Sequence, residues 1–176
     1  MMDEKQILVH CCCGPCSTSS IERLLREGYA PTLFFSNSNI FPKTEFDKRY
    51  DALKKVANHY KLPFVCDVYQ HEQWLAHIKG FENEKEHGKR CTLCFGFSLK
   101  RAYEYALMDN IPYFCTTLTV SRFKNSQTIF EVGEQYESFL KLDFKKQNGF
   151  QRSIELAKEL GLYRQQYCGC EFSMRN

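Results

Sequence analysis

A chain of 176 residues can bury one substantial core, and 15 Phe with 10 Tyr exclude a disordered protein. Its 24 basic and 21 acidic side chains leave a net charge of only +3, a balance that does not by itself announce a nucleic-acid binder. The excess sits late, where Lys141, Lys145, Lys146, Arg152, Lys158, Arg164 and Arg175 outnumber Asp143, Glu155, Glu159 and Glu171, a pattern that suits a solvated helix face as well as a phosphate-binding patch.

The opening "MMDEKQILVHCCC" carries acidic residues where a secretory leader carries basic ones. No apolar run approaches the roughly 18 residues of a membrane span. The expected location is therefore cytoplasmic, with no membrane partner. "QILVHC" reads as a buried strand ended by Gly14-Pro15. Ser19 and Glu22 form a capping-box pattern before the helix "IERLLREG", and "PTLFFSN" is a second strand. Phe46, Tyr50, Leu53 and Ala57 give a helix from Thr44 to Tyr60. "LPFVCDVY" is a third strand, "HEQWLAHI" a short helix, and residues 80–90 a polar loop. A helix from Cys91 to about Leu107, the strand "IPYFCTTL", a helix over 127–140 and a last one in "RSIELAKELG" complete the pattern, while the tail shows no period. Strands alternating with helices predict an α/β fold, one domain over residues 1–176, with a mainly parallel sheet flanked by helices. Ligands in such folds bind beyond the carboxyl ends of the strands, which is where "HCCCGPCS" falls.

Thiols stay reduced in cytoplasm, so ten cysteines call for an explanation other than disulfides. Cys66 and Cys115 lie inside predicted strands and read as core residues. Cys12, Cys13 and Cys16 occupy a predicted loop, Cys91 and Cys94 are spaced C-x-x-C, and Cys168 and Cys170 are spaced C-x-C. One C-x-x-C is ambiguous between zinc, iron–sulfur and redox chemistry. Seven such thiols exceed the needs of a redox dithiol, of one zinc ion or of one four-cysteine cluster. Successive side chains of extended backbone point apart, so Cys12 and Cys13 suit two metals, or two irons of one cluster, better than one ion. These residues point to an iron–sulfur cluster with a second metal ion or a redox-active thiol pair beside it.

The motifs resemble, in order, those of the QueH-type epoxyqueuosine reductases. "HCCCGPCS" is similar to the family's H-x-C-C-x-P-C, and "FSNSNIFPKTEFDKR" to its N-P-N-I-x-P-x-x-E-Y-x-x-R. "EHGKRCTLCF", "TTLTVSRFKN" and "LYRQQYCGCEFS" match the remaining blocks. Ser38 replaces a Pro, Phe41 a usual His, and Arg122 stands where Pro is common; the extra Cys11 falls at a variable position. The resemblance implies an adenine-nucleotide-hydrolase-like (HUP/Rossmann-like) fold. It also implies cobalamin-independent reduction of epoxyqueuosine, at the wobble position of tRNA, to queuosine. The implied cofactors are a four-iron four-sulfur (4Fe-4S) cluster and a neighbouring metal ion, expected to be iron, with electrons from an unidentified donor.

Opening an epoxide to an alkene consumes two electrons and two protons, which a cluster beside a Lewis-acidic metal is suited to manage. Cys12 or Cys13 with Cys91 and Cys94 are the expected cluster ligands. Cys168 and Cys170, with a remaining thiol of the opening motif that includes Cys16, are expected on the second metal. His10, Asp67 and Tyr163 are candidate proton donors, although a satisfied strand-end histidine, a helix cap and a packed tyrosine explain them too. Arg122, Lys124, Lys145, Lys146, Arg152 and Arg164 are candidate phosphate contacts, and Phe123 or Tyr163 candidate stacking platforms. "SNSNIFP" is a candidate base-recognition loop. Two other readings are a zinc-stabilised nucleic-acid-binding module without catalysis and an ATP-dependent tRNA-thiolating enzyme. The second wants an "SGGxDS"-like phosphate loop where this chain has "CCCGPCS".

Overall fold

The computed structural model describes residues 3–174, so Arg175, counted in the basic excess, lies outside the described residues. Four strands form one all-parallel sheet in the order β3-β2-β1-β4. They are β1 (Lys5–His10), β2 (Tyr29–Phe35), β3 (Phe64–Cys66) and β4 (Tyr113–Thr116). The helices between and after them are α1 (Gly14–Arg26), α2 (Lys43–Tyr60), α3 (His71–His77), α4 (Lys89–Met108), α5 (Ser126–Gly133) and α6 (Gly149–Glu159).

Alternation along β1 builds both faces of this sheet. Ile7 and Val9 pack with Leu24, Leu53 and Val56 of α1 and α2 and with Ala157 of α6. Leu8 faces the other way, with Phe34, Leu99 and Ala102, under α4 and α5. Helices thus cover a sheet buried on both faces, as the alternating pattern predicts. Among the described residues no helix is long and apolar enough to cross a membrane.

The element boundaries differ from expectation in three instructive places. The helix after β1 begins at Gly14, not beyond Ser19: Cys13 is its N-cap, with its sulfur accepting from the Cys16 amide at 3.3 Å and Pro15 in the first turn. Ser19 is buried within the helix. The helix expected over 127–140 stops at Gly133, where an added Cβ would lie 2.2 Å from the Phe139 ring. Phe139 instead folds back beside Phe114, with Phe114 N–H donating to Ser138 and Leu140 N–H to Phe114. Finally, β3 is a three-residue edge strand, so Cys66 is exposed rather than in the core. Cys115, on β4, is buried as predicted.

Candidate metal centre

β2 lies on one side of β1, and β4, which the chain reaches only after β3, lies on the other, so the order of the strands reverses between β1 and β4. Such a switch point opens a crevice, and the first cysteines enter it. His10 closes β1 against β4: its Nε2–H donates to the Ser36 carbonyl at 3.0 Å, which leaves Nδ1 to accept from the Thr116 hydroxyl at 2.8 Å. Burial lowers its pKa, so the ring is neutral and both nitrogens are committed. Cys11 turns into the core, where its thiol donates to the Val9 carbonyl and burial pushes its pKa well up.

Cys12, Cys13 and Cys16 converge. Their sulfurs all lie within 4.8 Å of one another, the one such group of potential metal ligands among the described residues. The expectation that Cys12 and Cys13 point apart fails because the chain bends at Cys12 before α1 begins, leaving their sulfurs 3.9 Å apart. Thr117, just past β4, supports Cys12 by accepting from its amide at 3.2 Å. Hydrogen bonds from the Cys13 and then the Cys16 thiol hold the Cys12 sulfur well below the usual thiol range. Cys13, hydrogen-bonded to that sulfur, is pushed up to about 12. A shared negative charge at the N-terminus of α1 is also favoured by the helix dipole.

A cavity of about 430 Å³ opens beside these sulfurs, within the size of small-molecule sites. Six thiols line it: Cys12, Cys16, Cys91, Cys94, Cys168 and Cys170. Cys13 sits behind them, fully buried. Cys91 and Cys94 come from the first turns of α4; burial, then the Cys168 sulfur, pushes the Cys94 thiol up. The buried Trp74 indole N–H lies beside Cys94, where it favours the thiolate, and has no other hydrogen-bond partner among the described residues. Soft donors gathered from three chain segments, with an indole N–H beside one of them, fit iron–sulfur or thiolate-bound metal chemistry.

The tail reaches this cavity through a buried clamp that sequence reasoning missed. Arg49 of α2 is 2 % exposed. Its Nη1 donates to the Cys168 carbonyl at 2.7 Å, its Nη2 to the Tyr167 carbonyl at 2.9 Å and its Nε to Glu45 at 2.8 Å. Tyr163 donates to the same Glu45 carboxyl at 2.8 Å. Gly169, at φ +147°, passes so close that a Cβ would meet Arg49 and Asn39 at 3.2 and 3.1 Å. The signal was present in "KTEFDKR", where Glu45 and Arg49 share a helix face.

Not every predicted site residue lines the cavity. Asp67 sits away from it: burial disfavours its charge, but Arg101, at 2.6 and 2.8 Å, and the Ser36 hydroxyl hold its pKa below the ordinary value. His10 and Tyr163 are likewise absent from the lining. Lys145 is spent on the carbonyls of Thr119 and Lys124, and Arg152 on Glu22. Asn37 holds the Cys11 carbonyl at 2.8 Å, while Asn39 and Ile40 from the same loop face the cavity. Lys124 faces it too. Burial works against its charge, and the sulfurs of Cys168, Cys12, Cys16 and Cys13 hold its pKa up.

Residues 7–176 match the family described as epoxyqueuosine reductase QueH. The chain belongs to this family. It is 36 % identical to the epoxyqueuosine reductase QueH of Haemophilus influenzae over 97 % of this chain and 72 % of that protein. Its likeness to the Streptococcus pyogenes QueH is also 36 %, over 96 % of this chain and 70 % of the relative. For the Thermotoga maritima QueH the figures are 36 %, 96 % and 90 %. The departures from the QueH pattern all have contacts here. Ser38 accepts from the Gln70 amide at 3.0 Å, Phe41 stacks on His71 at 5.3 Å, and Arg122 lies over the Phe123 ring.

Proposed function

We propose that this protein reduces the epoxide of epoxyqueuosine in tRNA to the cyclopentene of queuosine. The observation that carries the reading is the convergence of six cysteines, from the β1–α1 junction, α4 and the tail, on one cavity at the sheet's switch point. In this reading Cys12 or Cys13, with Cys91 and Cys94, holds a 4Fe-4S cluster. Cys168 and Cys170, with Cys16 from the opening motif, hold a second metal ion, iron. When bound, these groups supply electrons singly and a Lewis acid for the epoxide oxygen; the electrons come from a separate donor.

The rest of the chain builds the place where that happens. Phe95, Leu118 and Ile40 give the cavity apolar walls, and Arg164, Gln165 and Gln166 from the tail provide polar groups over it. His10, Asp67 and Tyr163 work through neighbours: His10 ties β1 to β4, Asp67 ties Ser36 to α4, and Tyr163 secures the Glu45–Arg49 pair. Lys124 adds the positive charge that a thiolate-rich cavity needs for balance.

Purification without oxygen, followed by optical spectroscopy and iron, zinc and sulfide analysis, tests the cofactor. The expected protein is brown, bleached by dithionite, with about four or more irons per chain, and it converts epoxyqueuosine-containing tRNA. Cys94→Ser and Cys168→Ser are expected to lose metal and turnover. A colourless protein that takes up only zinc after reconstitution would leave a nucleic-acid-binding module as the better reading.

A further inference from the structure

A second, smaller cavity of about 250 Å³ adjoins the thiol-lined one. Thr92, Arg122, Asn125 and Thr128 belong to it alone, while His87, Phe95, Phe123 and Lys124 line both. It has no acidic lining residue. The Phe123 ring, at the rim of this cavity, is 65 % exposed. The Arg122 guanidinium lies between two rings, 5.0 Å from the centroid of Phe123 and 5.1 Å from that of Phe150. Neither Arg122 nor Lys124 pairs with a carboxylate among the described residues.

We propose that this second cavity receives the nucleotide next to the modified one in the same RNA strand, with its base stacked on Phe123 and its phosphate beside Arg122. The inference rests on the reductase reading and adds a second subsite to it. A ligand of two linked units is what a pair of cavities with a shared wall accommodates. With the reacting base among the thiols, the next unit of the strand meets Phe123. Exposed aromatics offer a π-face to any base, and a cation beside them that is free of carboxylates, Arg122, suits the linking phosphate. Arg122 stacked between Phe123 and Phe150 is held in place with its N–H groups uncommitted to protein carboxylates, ready for a phosphate oxygen. Unlike the thiol cavity, this subsite asks only for a flat ring and a negative charge, so it reads strand geometry rather than the modification.

The test is a titration of unmodified RNA anticodon stem–loops carrying 2-aminopurine at one or the other position flanking the wobble nucleotide. Reconstituted wild-type protein and the variants Phe123→Ala and Thr128→Phe are compared. Phe123 is exposed and Thr128 lies at the surface of α5, so neither substitution opens the core. Quenching of the fluorophore at one flanking position on binding to wild type is expected, with affinity about tenfold weaker for both variants. Saturable binding with no fluorescence change at either position would overturn the subsite while leaving the reductase reading intact, as would variants that bind like wild type. Failure of wild type to bind the stem–loop at all would remove the tRNA reading and the subsite together.

Discussion

Tyr163 and Glu45 show how a single hydrogen bond carries a pH signature. Burial raises the Tyr163 phenol to about 12, and its hydrogen bond to the Glu45 carboxyl adds to the shift. The ordinary value is 10. A folded value above the unfolded one means the bond contributes fully below pH 10 and is lost as pH rises toward 12. Tyrosinate absorbance should therefore show a late-titrating class near pH 12 that shrinks in Tyr163→Phe, with Tyr60, raised to the same region, among the tyrosines that remain in it. An unchanged late class in Tyr163→Phe would dismiss the assignment. At this scale the sequence was uneven. Cysteine announces itself by spacing, and the thiols were readable from that alone. Of Arg49 only the spacing to Glu45 was readable; its burial was not, because a buried arginine and an ordinary surface arginine look alike until the chain that accepts from it folds alongside.

Among the elements, α1 bears most directly on the site. Gly14 stands at its first position, where an added Cβ would meet Ala52 Cβ at 2.9 Å and the Ala52 carbonyl carbon at 3.0 Å. Backbone on α2 cannot move aside as a flexible side chain would. Gly14→Ala is expected to cost about 1–3 kcal/mol, read as a lower urea midpoint. It should also lower iron retention, because relief of the clash moves the helix end that carries Cys13 and Cys16. Helices with clear periodicity, α2 and α4, were legible to within a residue or two of their bounds. The errors fell where tertiary contact overrides local pattern. A thiol did the capping that a Ser–Glu pair advertised, and Phe139 claimed the space into which α5 had been extended.

In the molecule as a whole, the thiols come from the β1–α1 junction, from α4 and from the tail, so any metal they share ties distant parts of the chain together. A group that binds the folded state and not the unfolded one stabilises it by mass action. Chelation of the reconstituted protein should therefore lower its Tm by several degrees and speed amide exchange over residues 163–174. An identical Tm with and without metal would show that the three segments meet without its help. The α/β class and the site's place beyond β1 were legible because alternating elements leave few topologies. The second cavity was legible only in its parts: Arg122, Phe123 and Lys124 were candidates for RNA contact, but nothing in the sequence brings "TTLTVSRFKN" against "EHGKRCTLCF" to enclose a space.

The Arg49 clamp grips carbonyl oxygens of the tail, not its side chains. Main-chain carbonyls are the same whatever residue stands at 167 or 168, so anchoring and chemistry are written in separate alphabets. A lineage, or an engineer, is free to exchange the tail's side chains and so retune what the cavity does, while the tail continues to arrive at the same address.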